Sequence, residues 1–251
     1  MPWVETSSPH FHARHELADD DDVAGVLELL EDTRERLAGT FPPIEGDITV
    51  IVHGSLGALS LAQPYFPILR RTTAPAARRY LAGWTTANEI HLLAPRRLRD
   101  RASSVPGSLE MAMLAPAGLY AQLVVGRGNP SLAPPWRPAA TLRTFRWAWL
   151  ALGAGQYFGG QTAYARPAVG RRLREGSEPS FPPGLRDAML LGGTVLDLLA
   201  REAGEDAVVR LVSHLHADGP RSALEEAFGR DLVHTGGAWR AHLAALGGAA
   251  G

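Results

Sequence analysis

The run from Met111 to Val125 constrains this chain more than any other segment. It holds no charged residue over 15 positions, yet it is short for a membrane span and contains Pro116 and Gln122. A helix of that character has to be buried within protein. A second apolar run ends at Phe158 and is followed by Gly159-Gly160, a common way for a helix to stop. At 251 residues the chain is long enough to bury both in a substantial core.

Around these runs the pattern changes once. Residues 3–17 alternate loosely and read as strand. The acidic run Asp19–Asp22 suits the N-terminus of a helix from about Val23 to Leu37. Val23, Val26, Leu27, Leu30 and Leu37 recur there at helical spacing. Asp47–His53 is rich in β-branched residues and reads as strand. Residues 54–82, with prolines at 64, 67 and 75, read as irregular. Gly83–Leu93 reads as paired strands ended by Pro95, and Arg96–Arg101 as an arginine-rich loop. Helices are expected over Leu109–Val125 and Ala139–Phe158, with a Gly- and Pro-rich loop at 126–138 between them. From Pro182 onward the pattern is helical: Leu185–Ala203, Asp206–His216, Arg221–Phe228 and Thr235–Leu246. Strands first and helices afterwards point to the α+β class.

Composition removes several function classes. A formal net charge of -1 gives no bulk attraction to nucleic acid or membrane. The absence of cysteine removes disulfides, thiolate zinc sites and thiol catalysis together. All 25 basic residues are arginine, which reads as genome composition. The N-terminus lacks a basic start followed by an apolar run, so a cytoplasmic location is expected.

The two apolar runs also carry a resemblance. Leu114-Ala115-Pro116-Ala117-Gly118-Leu119-Tyr120 has the frame of the zinc-peptidase helix L-A-H-E-L-A-H. Trp149-Leu150-Ala151-Leu152-Gly153-Ala154-Gly155-Gln156-Tyr157 is similar to the W-L-x-E-G-x-A-x-Y segment of gluzincin, or peptidase MA-like, metallopeptidases. Glu89–Leu93 resembles the edge strand before the zinc helix. The tail, with Gly204-Glu205-Asp206, the Ala223–Leu232 segment and Trp239, follows the same order. The resemblance runs from about Val4 to Leu243. It implies a zincin-like fold, with an N-terminal α/β subdomain at 1–107 and a helical subdomain at 108–251 forming one unit.

The resemblance also implies lost chemistry. A zincin sets two histidines at i and i+4 on one helix face, a glutamate base beside the first, and a third ligand on a second helix. Here those positions hold Pro116, Tyr120, Ala117 and Leu152. Proline, alanine and leucine offer no ligand or base, and a tyrosine phenolate is costly near neutral pH. Inside a helix Pro116 also removes a backbone hydrogen bond, so the helix is expected to kink or to start there.

The expected function is therefore that of a pseudopeptidase, with no metal and no cofactor. Its old cleft would hold a peptide or protein segment, or serve as a scaffold. Tyr120 and Gln156 would form the floor, and Glu89 and His91 would lie on the edge strand that pairs with the bound chain. Two alternatives remain at this level: a hydrolase with a metal site rebuilt from the nine histidines, and an interaction module with no functional cleft. His10, His12 and His15 read as ordinary surface histidines, and His214 and His216 as imidazoles that suit the dipole near a helix end. The arginines at 96–101 and 166–174 read as solvated. Gly126–Pro130 follows a helix, the wrong order for a P-loop, and no Gly-x-Ser-x-Gly elbow occurs.

Overall fold

The computed structural model describes residues 2–132, 134 and 141–248. It is α+β, with a five-stranded mixed sheet in the N-terminal part and a largely helical C-terminal part. Strand β1 (Trp3–Ser7) turns into β2 (Phe11–Glu16), so the expected single strand is a hairpin, closed by Ser8 N–H donating to Phe11 O. Helix α1 (Asp20–Ala38) and strand β3 (Ile48–His53) follow. Strand β4 (Gly83–Thr85) and strand β5 (Glu89–Leu93) complete the sheet, in the order β1-β2-β3-β5-β4.

That order corrects the expected edge. Strand β5 is interior, parallel to β3 and antiparallel to β4, and β4 forms the edge. The reason lies in composition: Ile90, Leu92 and Leu93 are all buried, as an inner strand requires, whereas β4 has only three residues. The buried face of the sheet carries Phe11, Ala13, Val50, Val52, Ile90 and Leu92. Alternation places Thr49, Ile51, His53, Glu89 and His91 on the other face.

Two segments expected to be irregular are helical. Residues 54–82 contain α2 (Leu56–Ala62), α3 (Phe66–Thr72) and α4 (Pro75–Arg78). The prolines do not break these helices. Pro67 and Pro75 sit in first turns, where a missing N–H costs nothing. Ser55 caps α2 by accepting from Ala58 N–H at 3.1 Å. The arginine run forms α5 (Pro95–Arg101), and Pro95 opens it. Arg96 and Arg99 are bound to the acidic run at the start of α1: Arg96 Nε meets Asp19 at 2.5 Å and Arg99 meets Asp22 at 2.6 Å. Two arginines of one run are thus paired with two aspartates of the other.

The Leu109–Val125 helix is two helices, α6 (Ser108–Met113) and α7 (Ala115–Gly128). They meet at Leu114, and Pro116 lies in the first turn of α7, so the helix starts there. The second apolar run likewise divides into α8 (Thr141–Arg146) and α9 (Ala148–Phe158) at Trp147. The expected start of that helix, Ala139, lies outside the described residues, as does most of the 133–138 loop. Helices α10 (Arg166–Arg174), α11 (Leu185–Ala203), α12 (Glu205–Ser213), α13 (Pro220–Phe228) and α14 (Leu232–Gly248) complete the chain.

Helices α7, α9 and α11 stack backbone to backbone. A Cβ at Gly155 would lie 2.7 Å from Gly118 O, and one at Gly153 would lie 2.3 Å from the carbonyl carbon of Gly192. Side chains at these crossings would drive the helices apart. Farther out, Trp239 Nε1 donates to Thr194 Oγ1 at 2.9 Å and ties α14 to α11.

Candidate binding cavity

Between the edge strand β4 and helices α3, α7 and α9 lies a cavity of about 350 Å³. That volume is within the range that holds small ligands or a large side chain. Each wall has a local cause. Helix α3 presents Tyr65, at its start, with Ile68 and Leu69. The segment before and through β4 contributes Tyr80 to Thr85. Helix α7 presents Ala115, Gly118, Leu119 and Gln122, the i, i+3, i+4, i+7 set of one helical face. Helix α9 presents Ala148, Ala151, Leu152, Gly155 and Gln156.

The lining is apolar. Among the described residues it contains no Asp, Glu, His, Lys, Arg, Ser or Cys. Its hydroxyl and amide groups come from Tyr65, Thr72, Tyr80, Thr85, Gln122, Thr144, Gln156 and Gln161. The Tyr80 hydroxyl is 2.9 Å from Ser108 Oγ, and Gln161 Nε2 donates to Met111 O at 2.8 Å. Gln156 differs. It is 3% exposed, and both atoms of its amide lack a hydrogen-bond partner among the described residues. Thr162 Oγ1 is also buried without a partner among the described residues. A Cβ at Gly193 would lie 2.4 Å from Thr162 Oγ1 and 3.3 Å from Gln156 Oε1, so both groups adjoin α11. An unmet buried amide costs about 1–3 kcal/mol. Among the described residues the cavity therefore has apolar walls and one unmet donor–acceptor pair.

The sequence-derived positions separate in space. Leu152 and Gln156 line the cavity; Pro116, Ala117 and Tyr120 do not. Tyr120 is 1% exposed and packs edge-on against Phe11 at 5.3 Å, on the buried face of the sheet. Burial pushes its phenol above the usual tyrosine range, partly opposed by a hydrogen bond with Arg34. The expectation that Tyr120 forms the cleft floor is thus corrected. It lies on the sheet-facing side of α7, nearly half a turn, roughly 150°, away from the cavity side.

Glu89 and His91 are corrected in the same way, because β5 is interior and they project from the sheet face opposite the core. His91 Nδ1 is 3.1 Å from His53 Nε2, and the two rings are stacked. Its Nε2 is 3.2 Å from Glu89 Oε2 and 2.8 Å from Gln63 Nε2. Burial, followed by the neighbouring His91, lowers His53 to about 4. No group of three or more His, Cys, Asp or Glu side chains among the described residues is arranged to hold a metal ion. No helix among them is long and apolar enough to cross a membrane.

The histidines near the N-terminus are also engaged. His10 binds Glu31 at 2.8 Å, and His12 is 3.1 Å from Asp47. His15 is fully buried, 2.9 Å from Thr6 Oγ1 and 3.0 Å from Glu16 O, so it is not a surface residue. Tyr157 and Tyr164 do not line the cavity.

The edge strand has one further property. Thr86 N–H donates to Glu89 O, and Leu93 N–H donates to Ala82 O. The alternation of antiparallel pairing then sets Ala82, Trp84 and Thr86 in the bonded pairs. Gly83 and Thr85 direct their backbone groups away from β5, and both residues line the cavity.

Comparisons with protein-family models, with curated proteins and with solved structures returned no match.

Proposed function

We propose that the chain is a degenerate gluzincin, zincin-like in fold, that binds an extended peptide or protein segment and does not catalyse. One observation carries this reading: an apolar cavity with an unmet amide, Gln156, opens beside the outward backbone groups of a sheet edge. Strand addition at Gly83 and Thr85 would supply backbone hydrogen bonds. A large apolar side chain of the bound segment would enter the cavity, and a polar group beside it would meet Gln156.

On this reading the frame drawn through Pro116 and Tyr120 has to move, because neither residue lines the cavity. The cavity-facing i, i+4 pair of α7 is Gly118 and Gln122, so the ligand frame is better drawn two residues later. Leu119 then stands at the base position and Leu152 at the third ligand position. Gly118 and the two leucines have no ligand atom, and a Cβ at Gly118 would lie 2.4 Å from Gln161 Oε1, so a histidine there would have to displace that side chain. A lining without Asp, Glu, His, Lys, Arg or Cys among the described residues supports binding over acid–base chemistry. We assign the binding role to the cytoplasm, where a chain without cysteine loses nothing.

The test uses blocked pentapeptides of extended sequence, each with one large apolar residue, read by fluorescence polarisation. Thr85→Pro removes an outward N–H while sparing the ladder to β5, and Leu152→Trp fills the cavity. Each is expected to weaken binding at least tenfold. If both variants bind as the parent does, the cleft is not the site. Roughly one zinc per chain, retained through gel filtration after zinc exposure, would overturn the non-catalytic reading.

A further inference from the structure

Five arginines from separate elements converge on one shallow concavity of about 260 Å³. Arg70 comes from α3, Arg78 from α4, Arg79 from the turn after it, Arg101 from the end of α5 and Arg171 from α10; Pro75 completes the lining. The arginine runs around 96–101 and 166–174 thus divide by role. Arg96 and Arg99 pair with the acidic run of α1, whereas Arg101 and the Glu175-paired Arg171 join this cluster.

The cluster is built rather than loose. Arg101 donates to Leu81 O at 3.2 Å and to Arg78 O. Arg78 donates through Nε to Thr73 O at 2.9 Å and through Nη2 to Arg71 O at 3.1 Å. The nearby carboxylate, Glu175, is occupied: Arg171 Nε donates to one oxygen at 2.7 Å and Ala76 N–H to the other at 2.9 Å. Arg70, Arg78, Arg79 and Arg101 have no acidic partner among the described residues. Burial, with the positive charges of Arg70 and Arg79 beside it, lowers Arg101 to about 10. The chain as a whole is at net -1, so this excess of positive charge is local.

The geometry points to a binding site for a compact multiply charged oxyanion, the phosphate or diphosphate group of a small molecule. Guanidinium groups meet such oxygens with paired, charge-assisted hydrogen bonds. With one carboxylate, Glu175, among five arginines, the guanidiniums left over repel one another until an anion arrives. The concavity is confined to one spot and its lining has no aromatic ring, which disfavours a nucleic-acid track. This site is separate from the peptide-binding reading and does not depend on it.

The experiment is calorimetric titration of the whole chain with sodium phosphate and with sodium diphosphate, at constant ionic strength. Diphosphate is expected to bind more tightly than phosphate. Arg70→Ala combined with Arg79→Ala removes two guanidiniums that anchor no backbone carbonyl, and should weaken diphosphate binding at least tenfold. Arg240→Ala, whose partner is Glu178 elsewhere on the surface, should leave it unchanged. Binding with the same affinity in the double variant would overturn the site. So would absence of binding at 10 mM diphosphate, roughly the millimolar limit of useful affinity. Binding of heparin or an oligonucleotide without diphosphate binding would reject the small-molecule assignment. Thermal unfolding of the double variant should match the parent, so that loss of binding is not loss of fold.

Discussion

Two buried polar regions in the C-terminal half are built in opposite ways. At the junction of α10 and α11, Arg172 and Asp187 close on each other: Nε meets Oδ1 at 2.5 Å and Nη2 meets Oδ2 at 2.8 Å. Arg172 also donates to Ser177 O at 3.2 Å, and both side chains are almost wholly buried. At the wall of the cavity, Gln156 is equally buried and closes on nothing among the described residues. The first arrangement is complete within the chain and holds helices together. The second is incomplete within the chain, which is what a site awaiting a partner requires. A fold that could satisfy Arg172 so fully was able to satisfy or replace Gln156 as well.

Removing one partner of the closed pair should give the largest effect. Asp187→Ala leaves the Arg172 guanidinium buried without its counter-charge, and is expected to destabilise the chain by about 3–5 kcal/mol in urea unfolding. The double variant Arg172→Met, Asp187→Leu removes both charges and should recover most of that loss. If the double variant is as unstable as the single one, the pair is not a closed unit and the contrast with Gln156 fails.

The pair His53–His91 falls between these extremes, because it is hydrogen-bonded but has no room for charge. The folded value of His53 is lowered to about 4, against an unfolded value near 6.5. The unfolded chain therefore binds the additional proton. The stability due to neutral His53 is fully present above about pH 6.5 and is lost as pH falls through about 4. The loss is on the order of 2 kcal/mol, allowing for partial solvent relaxation. Other carboxylates titrate in the same window, so the useful quantity is the difference from His53→Gln. Between pH 7 and pH 4.5 the parent should lose more stability than this variant. Equal losses would mean that the imidazole takes up its proton within the fold.

How much of this was legible in the sequence depended on whether a signal was local. The helical periodicity of α1, the β-branched run of β3 and the apolar runs of α7 and α9 were readable, because each depends on its own residues. The prolines at 67 and 75 were misread as breaks because their meaning depends on position within a turn. The edge strand was misplaced by one. The apolar Ile90, Leu92 and Leu93 are the local mark of an inner strand, but they place β5 inside only once the three-residue β4 is recognised as its neighbour. At the cavity, Leu152 and Gln156 were found, while the rotation of α7 was not. A helix that is apolar on every side gives no moment to orient it. The small residues did hold that information: Gly118, Gly155 and Gly159 mark the face where α7 and α9 touch, and Tyr120 must then face elsewhere.

The smallest effect, and the one with the opposite sign, belongs to Gln156. Gln156→Leu keeps nearly the same side-chain volume and removes the two polar atoms that lack partners. Substituting an apolar group for an unmet buried amide should raise the stability of the unliganded chain by about 1 kcal/mol. The same change should weaken binding of the apolar pentapeptides, because an unmet donor–acceptor pair of the cavity wall is gone. A gain in stability coupled to a loss of binding is the signature of a group kept for a partner. A comparable loss in both would instead make Gln156 a structural residue like Asp187, with its partner supplied inside the fold. The two regions would then be built alike, and the cavity would be a gap in the packing between β4, α7 and α9.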